Sequence, residues 1–216
     1  MTVINIDKKY VFIRVFKTGS GTVGRELKKN DPDATVVTSM MRAADGFTGD
    51  GLRRTSHVKS SWIKENIFAK MDWDWDEYFK FGFVRNPWER ELSNYFWNRG
   101  HRRPAHLHAD GKKTPRGYFF KEFLNHRLLK DGQMDQANLL QCDYLTDVDY
   151  IARFENFEEE VKYIFNRIDV PLAQKLCHLH KTEHKPYWEY YDDADIMKVE
   201  EWYKKDIEMY NYEFGE

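Results

Sequence analysis

VFIRVFKTGSGTVGREL, the stretch from Val11 to Leu27, decides the fold of this chain. Its first six residues are almost all apolar, which is typical of a strand buried on both faces of a parallel sheet. A glycine-rich turn follows, and the segment from Thr22 to Lys29 has helical spacing, with Val23 and Leu27 on one face. The order of strand, tight turn and helix predicts a loop that binds an anion.

The turn itself contains the candidate binding residues, which are Lys17, Thr18, Gly19, Ser20, Gly21 and Thr22. Glycines let backbone N–H groups approach a ligand closely, a helix N-terminus contributes partial positive charge, and Lys17 adds a full charge. A phosphate-like group is therefore the predicted ligand. The Walker A pattern requires a lysine after its second glycine, whereas Lys17 precedes both glycines here. The alternative on this stretch alone is a connecting turn whose glycines only supply positive φ angles.

Length and composition limit the classes of protein. A chain of 216 residues has the size of one large domain, so we expect a single domain over residues 1–216. The 34 Lys and Arg nearly balance the 36 Asp and Glu, which argues against a nucleic acid or an anionic membrane as partner. We find no apolar run that could span a bilayer and no signal peptide, so we expect no membrane span and a cytoplasmic location.

The only cysteines are Cys142 and Cys177. Two cysteines are too few for a disulfide framework, and we expect both thiols to be reduced and packed. One bridge between them is the alternative that the sequence leaves open.

Strands alternate with helices along the rest of the chain, which indicates an α/β fold with a mainly parallel sheet. The expected strands are Ala34 to Thr38, Lys80 to Arg85 and Tyr150 to Phe154, and the expected helices begin near Ser60, Pro87, Gly117, Asn156 and Asp193. The last helix is expected to end near Tyr210. Helix N-caps are predicted at Ser60 or Ser61, at Asn86 and at Asn156.

A second anion site is predicted where the strand from Lys80 to Arg85 ends. Arg85 leaves the carboxyl end of the strand, and Ser93 follows about two helical turns after Asn86. One ligand oxyanion could contact both Arg85 and Ser93. The alternative is a well-capped helix that carries a surface arginine and serine.

Both predicted anion sites resemble motifs of sulfotransferases. KTGSGT after an apolar strand resembles their 5′-phosphosulfate loop, close to P-K-T-G-G-T-S, and FGFVRNPWERELSNYFW resembles their 3′-phosphate motif, F-V-R-[DN]-P-[FW]-x-R-x-x-S-x-Y. The segments HVKSSWIKENI and QCDYLTDVDYIARFENFEEEV and the C-terminal helix resemble carbohydrate sulfotransferases of sulfotransferase family 2. The resemblance covers most of the chain. Phe16 stands where proline is usual and Ala152 where glycine is frequent, and neither change removes a charged contact.

The resemblance implies a P-loop-like three-layer fold with a central, mainly parallel sheet flanked by helices. It implies 3′-phosphoadenosine-5′-phosphosulfate (PAPS) as co-substrate, no metal, and in-line sulfuryl transfer to an acceptor hydroxyl, expected on a carbohydrate. Lys17 would stabilise the leaving phosphate, the rest of the turn would hold the phosphosulfate, and His57 would be the general base. Arg85 and Ser93 would hold the 3′-phosphate, and Lys181 would add a contact from a closing loop.

Other readings of these residues stay open. His57 could be a hydrogen-bond group at a helix N-terminus, and Lys181 and Lys185 could belong to an exposed charged loop. The basic segment from Arg99 to Arg116 could receive an anionic acceptor; its three histidines suggest metal, but a solvated loop is the better reading. At the level of function, the alternatives are a P-loop-type nucleotide kinase and a non-catalytic carbohydrate-binding protein on the same fold. The sequence specifies neither the acceptor nor an oligomeric state.

Overall fold

The computed structural model of the protein describes residues 2–37, 57–100, 120–125, 140–172 and 184–216, without the side chains of residues 98–100. The predictions for Lys181 and Cys177, and those for the three histidines of the basic segment, lie outside the described residues. The chain divides into two compact units, Met1–Val84 with Gln141–Leu179 and Arg85–Leu140 with His180–Glu216.

The described secondary structure alternates between strands and helices. The strands are β1 (Val3–Asn5), β2 (Tyr10–Ile13), β3 (Thr35–Val36), β4 (Phe79–Val84) and β5 (Tyr150–Arg153). The helices are α1 (Ser20–Asn30), α2 (Ser60–Ile63), α3 (Ala69–Met71), α4 (Pro87–Gly100), α5 (Phe120–Asn125), α6 (Gln141–Tyr144), α7 (Phe157–Arg167) and α8 (Asp193–Tyr210). A π-helical turn, Lys64–Phe68, joins α2 to α3, and short 3-10 turns lie at Trp75–Glu77, Phe154–Asn156 and Tyr187–Tyr190.

The first unit is built on one five-stranded sheet in the order β3-β1-β2-β4-β5. Strand β1 is antiparallel to both of its neighbours, whereas β2 pairs with β4, and β4 with β5, in parallel. Four strands therefore run in one direction and β1 runs in the other. The predicted α/β class with a mostly parallel sheet is confirmed, and the three-layer arrangement stays a prediction. Because β2, β4 and β5 are parallel neighbours, their carboxyl ends lie along the same edge of the sheet.

The apolar run of β2 forms the centre of this sheet, as its sequence predicts. All four residues of β2 are fully buried, and Phe12 stacks on Phe81 of β4 with ring centroids 5.3 Å apart. One hydrophobic cluster joins these strands to Val23 and Leu27 of α1 and to Val161 of α7. Burial of this cluster fixes the position at which β2 ends and α1 begins.

The second unit is described through α4, α5, the turn at Tyr187–Tyr190 and α8. Helix α8 has the predicted bounds, and Val199 and Tyr203 on its inner face are fully buried. Trp88 of α4 donates from Nε1 to the carbonyl oxygen of Ile196 at 3.1 Å, and the Tyr203 hydroxyl donates to Glu91 at 2.6 Å. These contacts hold the start of α4 against α8.

Of the three predicted helix caps, one is confirmed, one is correct in position only, and one is wrong. Asn86 Oδ1 accepts a hydrogen bond from the backbone N–H of Trp88 at 3.1 Å, so Asn86 caps α4. Ser60 and Ser61 lie inside α2 instead of before it. Asn156 is the N-cap residue of α7 and the last residue of a 3-10 turn, but its side chain makes no cap hydrogen bond.

Two further findings concern the thiols and the membrane. Cys142 at the start of α6 is buried and is not in a disulfide, as predicted. None of the helices in the described segments has both the length and the apolar character needed to cross a bilayer.

Candidate functional site

The turn between β2 and α1 is bent by two residues in the left-handed region. Lys17 has φ 62° and Gly19 has φ 71°. Such a conformation is uncommon for a residue with a Cβ, and it is concentrated at functional sites. Helix α1 begins at Ser20, two residues before the predicted Thr22. The helix N-terminus is therefore closer to Lys17 than the sequence indicated.

Two buried hydroxyls hold this turn from inside. Thr18 Oγ1 donates to the carbonyl oxygen of Val15 at 3.1 Å, and Ser20 Oγ donates to the same oxygen at 2.6 Å. A hydroxyl has one proton, so neither side chain donates to a ligand while these bonds persist. Thr18 and Ser20 therefore hold the turn, and the donors that an anion would meet at the start of α1 include backbone N–H groups.

The N-terminus of α1 is well suited to an anion. The first N–H groups of a helix have no acceptor within the helix, and the macrodipole places partial positive charge there. Gly19 provides no side-chain cap, and the first turn of α1 contains no acidic residue. An anion at this position would meet hydrogen-bond donors without a competing carboxylate from that turn.

Gly19 and Gly21 provide a matched test of this geometry. A Cβ at Gly19 would lie 2.6 Å from Cε2 of Phe157, and φ is already positive there, whereas a Cβ at Gly21 would meet nothing within 4 Å. We expect Gly19→Ala to lower the free energy of unfolding by about 2–4 kcal/mol. Gly21→Ala should leave it unchanged or raise it by up to about 1 kcal/mol. Chemical denaturation followed by circular dichroism measures both, and equal effects would contradict the geometry.

His57, the predicted base, lies beside this turn. Its ring meets Phe16 edge-on, with centroids 5.5 Å apart and planes at 71°, and its Nδ1 lies 3.3 Å from the carbonyl oxygen of Arg14. A carbonyl only accepts hydrogen bonds, so we assign the proton of the neutral ring to Nδ1. The other nitrogen, Nε2, is then the one that can accept a proton.

The surroundings keep the His57 ring neutral. Burial, followed by the positive charge of Arg14, lowers the pKa of His57 to about 3. The ring is therefore uncharged at neutral pH, which a general base requires. A base with so low a pKa has a low affinity for a proton. Catalysis is most efficient when the pKa of the base lies near the working pH, so the empty site is not optimal for His57 as a base.

The low pKa of His57 predicts acid destabilisation of the fold. Its pKa is about 6.5 in an unfolded chain and about 3 in the folded protein. Below about pH 6.5 only the unfolded state gains the proton, so the free energy of unfolding falls as the pH is lowered, by at most about 1.4 kcal/mol per pH unit. We expect His57→Asn to flatten this dependence between pH 7 and pH 4. Denaturation curves at several pH values measure it, and identical slopes in both proteins would contradict the assignment.

In the second unit, Arg85 is held in a defined orientation. The residue is 7% exposed, its Nε donates to Glu89 Oε2 at 3.1 Å, and its Nη2 lies 2.9 Å from Glu89 Oε1. The planar guanidinium that pairs bidentately with a carboxylate is equally suited to a phosphate. The pairing of Arg85 with Glu89 was not predicted from the sequence, although the spacing of four residues at the start of a helix was a usable signal.

The other residues of the segment around Arg85 either stabilise the fold or lie partly at the surface. Asn86 donates from Nδ2 to the carbonyl oxygen of Glu213 at 2.9 Å, in addition to capping α4. Ser93 lies on α4 and is partly exposed. Arg90 is 1% exposed and lies over the ring of Tyr203 at 4.5 Å, so its position is internal.

The predicted site residues belong to different units. The turn around Lys17 and the ring of His57 belong to the first unit, and Arg85 and Ser93 belong to the second. The two-phosphate clamp that draws on both stays a prediction. Within the described ranges, no group of three or more His, Cys, Asp or Glu side chains is arranged to hold a metal ion.

Comparison with known proteins identifies the family. The model of the Sulfotransferase family matches residues 1–213 of the chain, and no curated protein and no solved structure matches it. The matched region includes the turn at Lys17, His57 and the segment around Arg85. Since the match extends over nearly the whole length, this chain belongs to the sulfotransferase family.

Proposed function

We propose that this protein transfers a sulfuryl group from PAPS to an acceptor hydroxyl, on a carbohydrate. Membership of the sulfotransferase family supports sulfuryl transfer in general. The turn between β2 and α1 carries the assignment of the donor, because it joins a lysine in the left-handed region to a helix N-terminus without acidic residues. Helix N-termini of this kind are well suited to phosphate and sulfate groups.

The turn would act mainly by position and charge. The backbone N–H groups at the start of α1 would hold the phosphosulfate, and Lys17 would stabilise the negative charge that develops on the leaving phosphate. Thr18 and Ser20 would fix the shape of the turn through Val15, because their hydroxyl protons are already donated to its carbonyl. This refines the direct contacts that the family resemblance implies for these two hydroxyls.

His57 would receive the proton of the acceptor. The acceptor oxygen forms its bond to sulfur as the bond between sulfur and the bridging phosphate oxygen breaks, and the hydroxyl proton passes to Nε2 of His57. The tautomer supports this role, since the Arg14 carbonyl occupies Nδ1. The product nucleotide is adenosine 3′,5′-bisphosphate.

Arg85 and Ser93 would bind the 3′-phosphate. Arg85 is already oriented by Glu89, so little side-chain entropy would be lost when a phosphate takes a share of its N–H donors. Lys181, outside the described residues, would add a further contact. We further propose that residues 1–216 form one P-loop-like three-layer domain, in accordance with the span of the family match.

A transfer assay tests this proposal. PAPS labelled in its sulfuryl group is incubated with a panel of carbohydrates and simple alcohols, and both acceptor labelling and release of the bisphosphate are measured without added metal. We expect label on a carbohydrate, and none with His57→Ala or Lys17→Ala. Tight binding of the bisphosphate without any transfer would support the carbohydrate-binding alternative, and phosphoryl transfer from ATP with Mg²⁺ would support the kinase.

A further inference from the structure

Arg14 is the charged residue that sequence reasoning passed over. It directly follows β2, inside the apolar run that leads to Lys17, and its side chain is partly buried. Its Nε is buried and has no hydrogen-bond partner, and none of the carboxylates in the described segments pairs with its guanidinium. Burial lowers the pKa of Arg14, and no acid within the described ranges offsets this effect.

Removing the Arg14 Nε from water without giving it a hydrogen-bond partner is unfavourable to the folded state. The cost of an unpartnered donor is larger when the group carries charge. The planar guanidinium offers its N–H groups in a fork that matches the oxygens of a carboxylate, sulfonate or phosphate. A ligand anion is therefore the natural partner of Arg14.

The same residue also influences the protonation of His57. The Arg14 carbonyl oxygen lies 3.3 Å from Nδ1 of His57, and its side-chain charge is close enough to disfavour protonation of that ring. Two parts of one residue thus act on the proposed base, one by orienting it and the other by charge.

We propose that Arg14 binds an anionic oxygen group of a substrate next to His57, and that the bound anion makes His57 a competent base. The anionic group is either the sulfuryl group in transfer or a carboxylate or sulfate group on the acceptor. This inference rests on the proposed function, since it assigns Arg14 as a substrate-binding and positioning residue of the same site.

The physical step is charge compensation. In the empty protein, the Arg14 charge opposes a proton on His57. An anion paired with the guanidinium cancels that charge, so the Nε2 proton affinity of His57 rises once the substrate is in place. His57 is then a stronger base in the loaded site than in the empty one.

Inorganic sulfate is the probe that tests this step without any need for turnover. The protonation of His57 is followed by NMR on histidine-labelled protein as the pH is lowered, with the signal identified by its loss in His57→Asn. Sodium sulfate is compared with sodium chloride at equal ionic strength. We expect sulfate to raise the pKa of His57 by about one unit or more in the wild-type protein.

Two variants decide whether Arg14 carries the response. Arg14→Gln should raise the pKa of His57 in the absence of sulfate and abolish the response to sulfate. Lys17→Gln, the matched control, removes a cation of the same turn but leaves Arg14, so the response should persist. No response in the wild-type protein, or an equal response in Arg14→Gln, would overturn the inference.

The effects of two nucleotides on the pKa of His57 show whether the anion belongs to the donor or to the acceptor. If the sulfuryl group is the partner, PAPS raises the pKa of His57 and adenosine 3′,5′-bisphosphate, which lacks that group, does not. If the partner is on the acceptor, neither nucleotide raises it and sulfate does. Failure of the sulfate response with intact binding of the bisphosphate would remove the role of Arg14 alone, whereas failure of bisphosphate binding would remove the proposed function.

Discussion

Lys17→Ala will lower kcat for sulfuryl transfer by about 10²- to 10³-fold, the size of effect found when one preorganised charge or donor is removed from a transition state. The turn holds the Lys17 backbone in the left-handed region three residues before the start of α1, and in the proposed mechanism the ammonium and the helix N-terminus act on one phosphate. Charge on the bridging oxygen is greater in the transition state than in bound PAPS. The loss should therefore fall mainly on kcat and less on donor affinity.

Lys17→Arg is the matched control for this result. Arginine keeps the positive charge and must adopt the same left-handed backbone conformation as lysine. Lys17→Arg should therefore retain more activity than Lys17→Ala. Single-turnover rates with saturating PAPS measure the chemical step. Wild-type rates in Lys17→Ala would remove Lys17 from the mechanism, and an effect confined to the KM for PAPS would make it a binding residue only.

Arg85→Ala will weaken binding of adenosine 3′,5′-bisphosphate by about 30- to 1,000-fold, or roughly 2–4 kcal/mol. The guanidinium is oriented by a bidentate pair with Glu89, so removal of the side chain eliminates the donors and leaves that carboxylate without this cation. A 3′-phosphate would then meet negative charge where it had met positive charge. At saturating PAPS, kcat should change much less than affinity.

The ligand itself provides the control for Arg85. Adenosine 5′-phosphate lacks the 3′-phosphate, so its affinity should be nearly the same for the wild-type protein and Arg85→Ala. Calorimetry with both nucleotides measures the difference, and thermal unfolding of the variant confirms that it folds. An equal loss of affinity for both nucleotides would contradict the assignment of Arg85 to the 3′-phosphate.

Much of the fold could be predicted from local patterns. The bounds of α8 and the start of α4 follow from strong capping signals and apolar periodicity, and both were predicted correctly. Strand β1 was missed because three residues give too short a pattern for a prediction. The π-helical turn Lys64–Phe68 changes the helical spacing before α3, and Met71 in α3 is 48% exposed.

In the candidate site, the sequence predicted which residues are present but not how their side chains are hydrogen-bonded and packed. The motif located Lys17 and His57, and the contact between His57 and Phe16 places the ring beside the turn that contains Lys17. The inward hydrogen bonds of Thr18 and Ser20 depend on the path of the turn, which no sequence pattern specifies. The isolation of the Arg14 charge is likewise a property of packing, although an arginine inside an apolar run was a visible signal.

Titration calorimetry of the wild-type protein with adenosine 3′,5′-bisphosphate, in buffer containing EDTA, tests the central claim most directly. We predict one site per chain with a Kd of about 1 μM or tighter, unchanged by Mg²⁺ and weakened by Arg85→Ala. Absence of binding to the bisphosphate, together with Mg²⁺-dependent binding of ATP, would contradict the account.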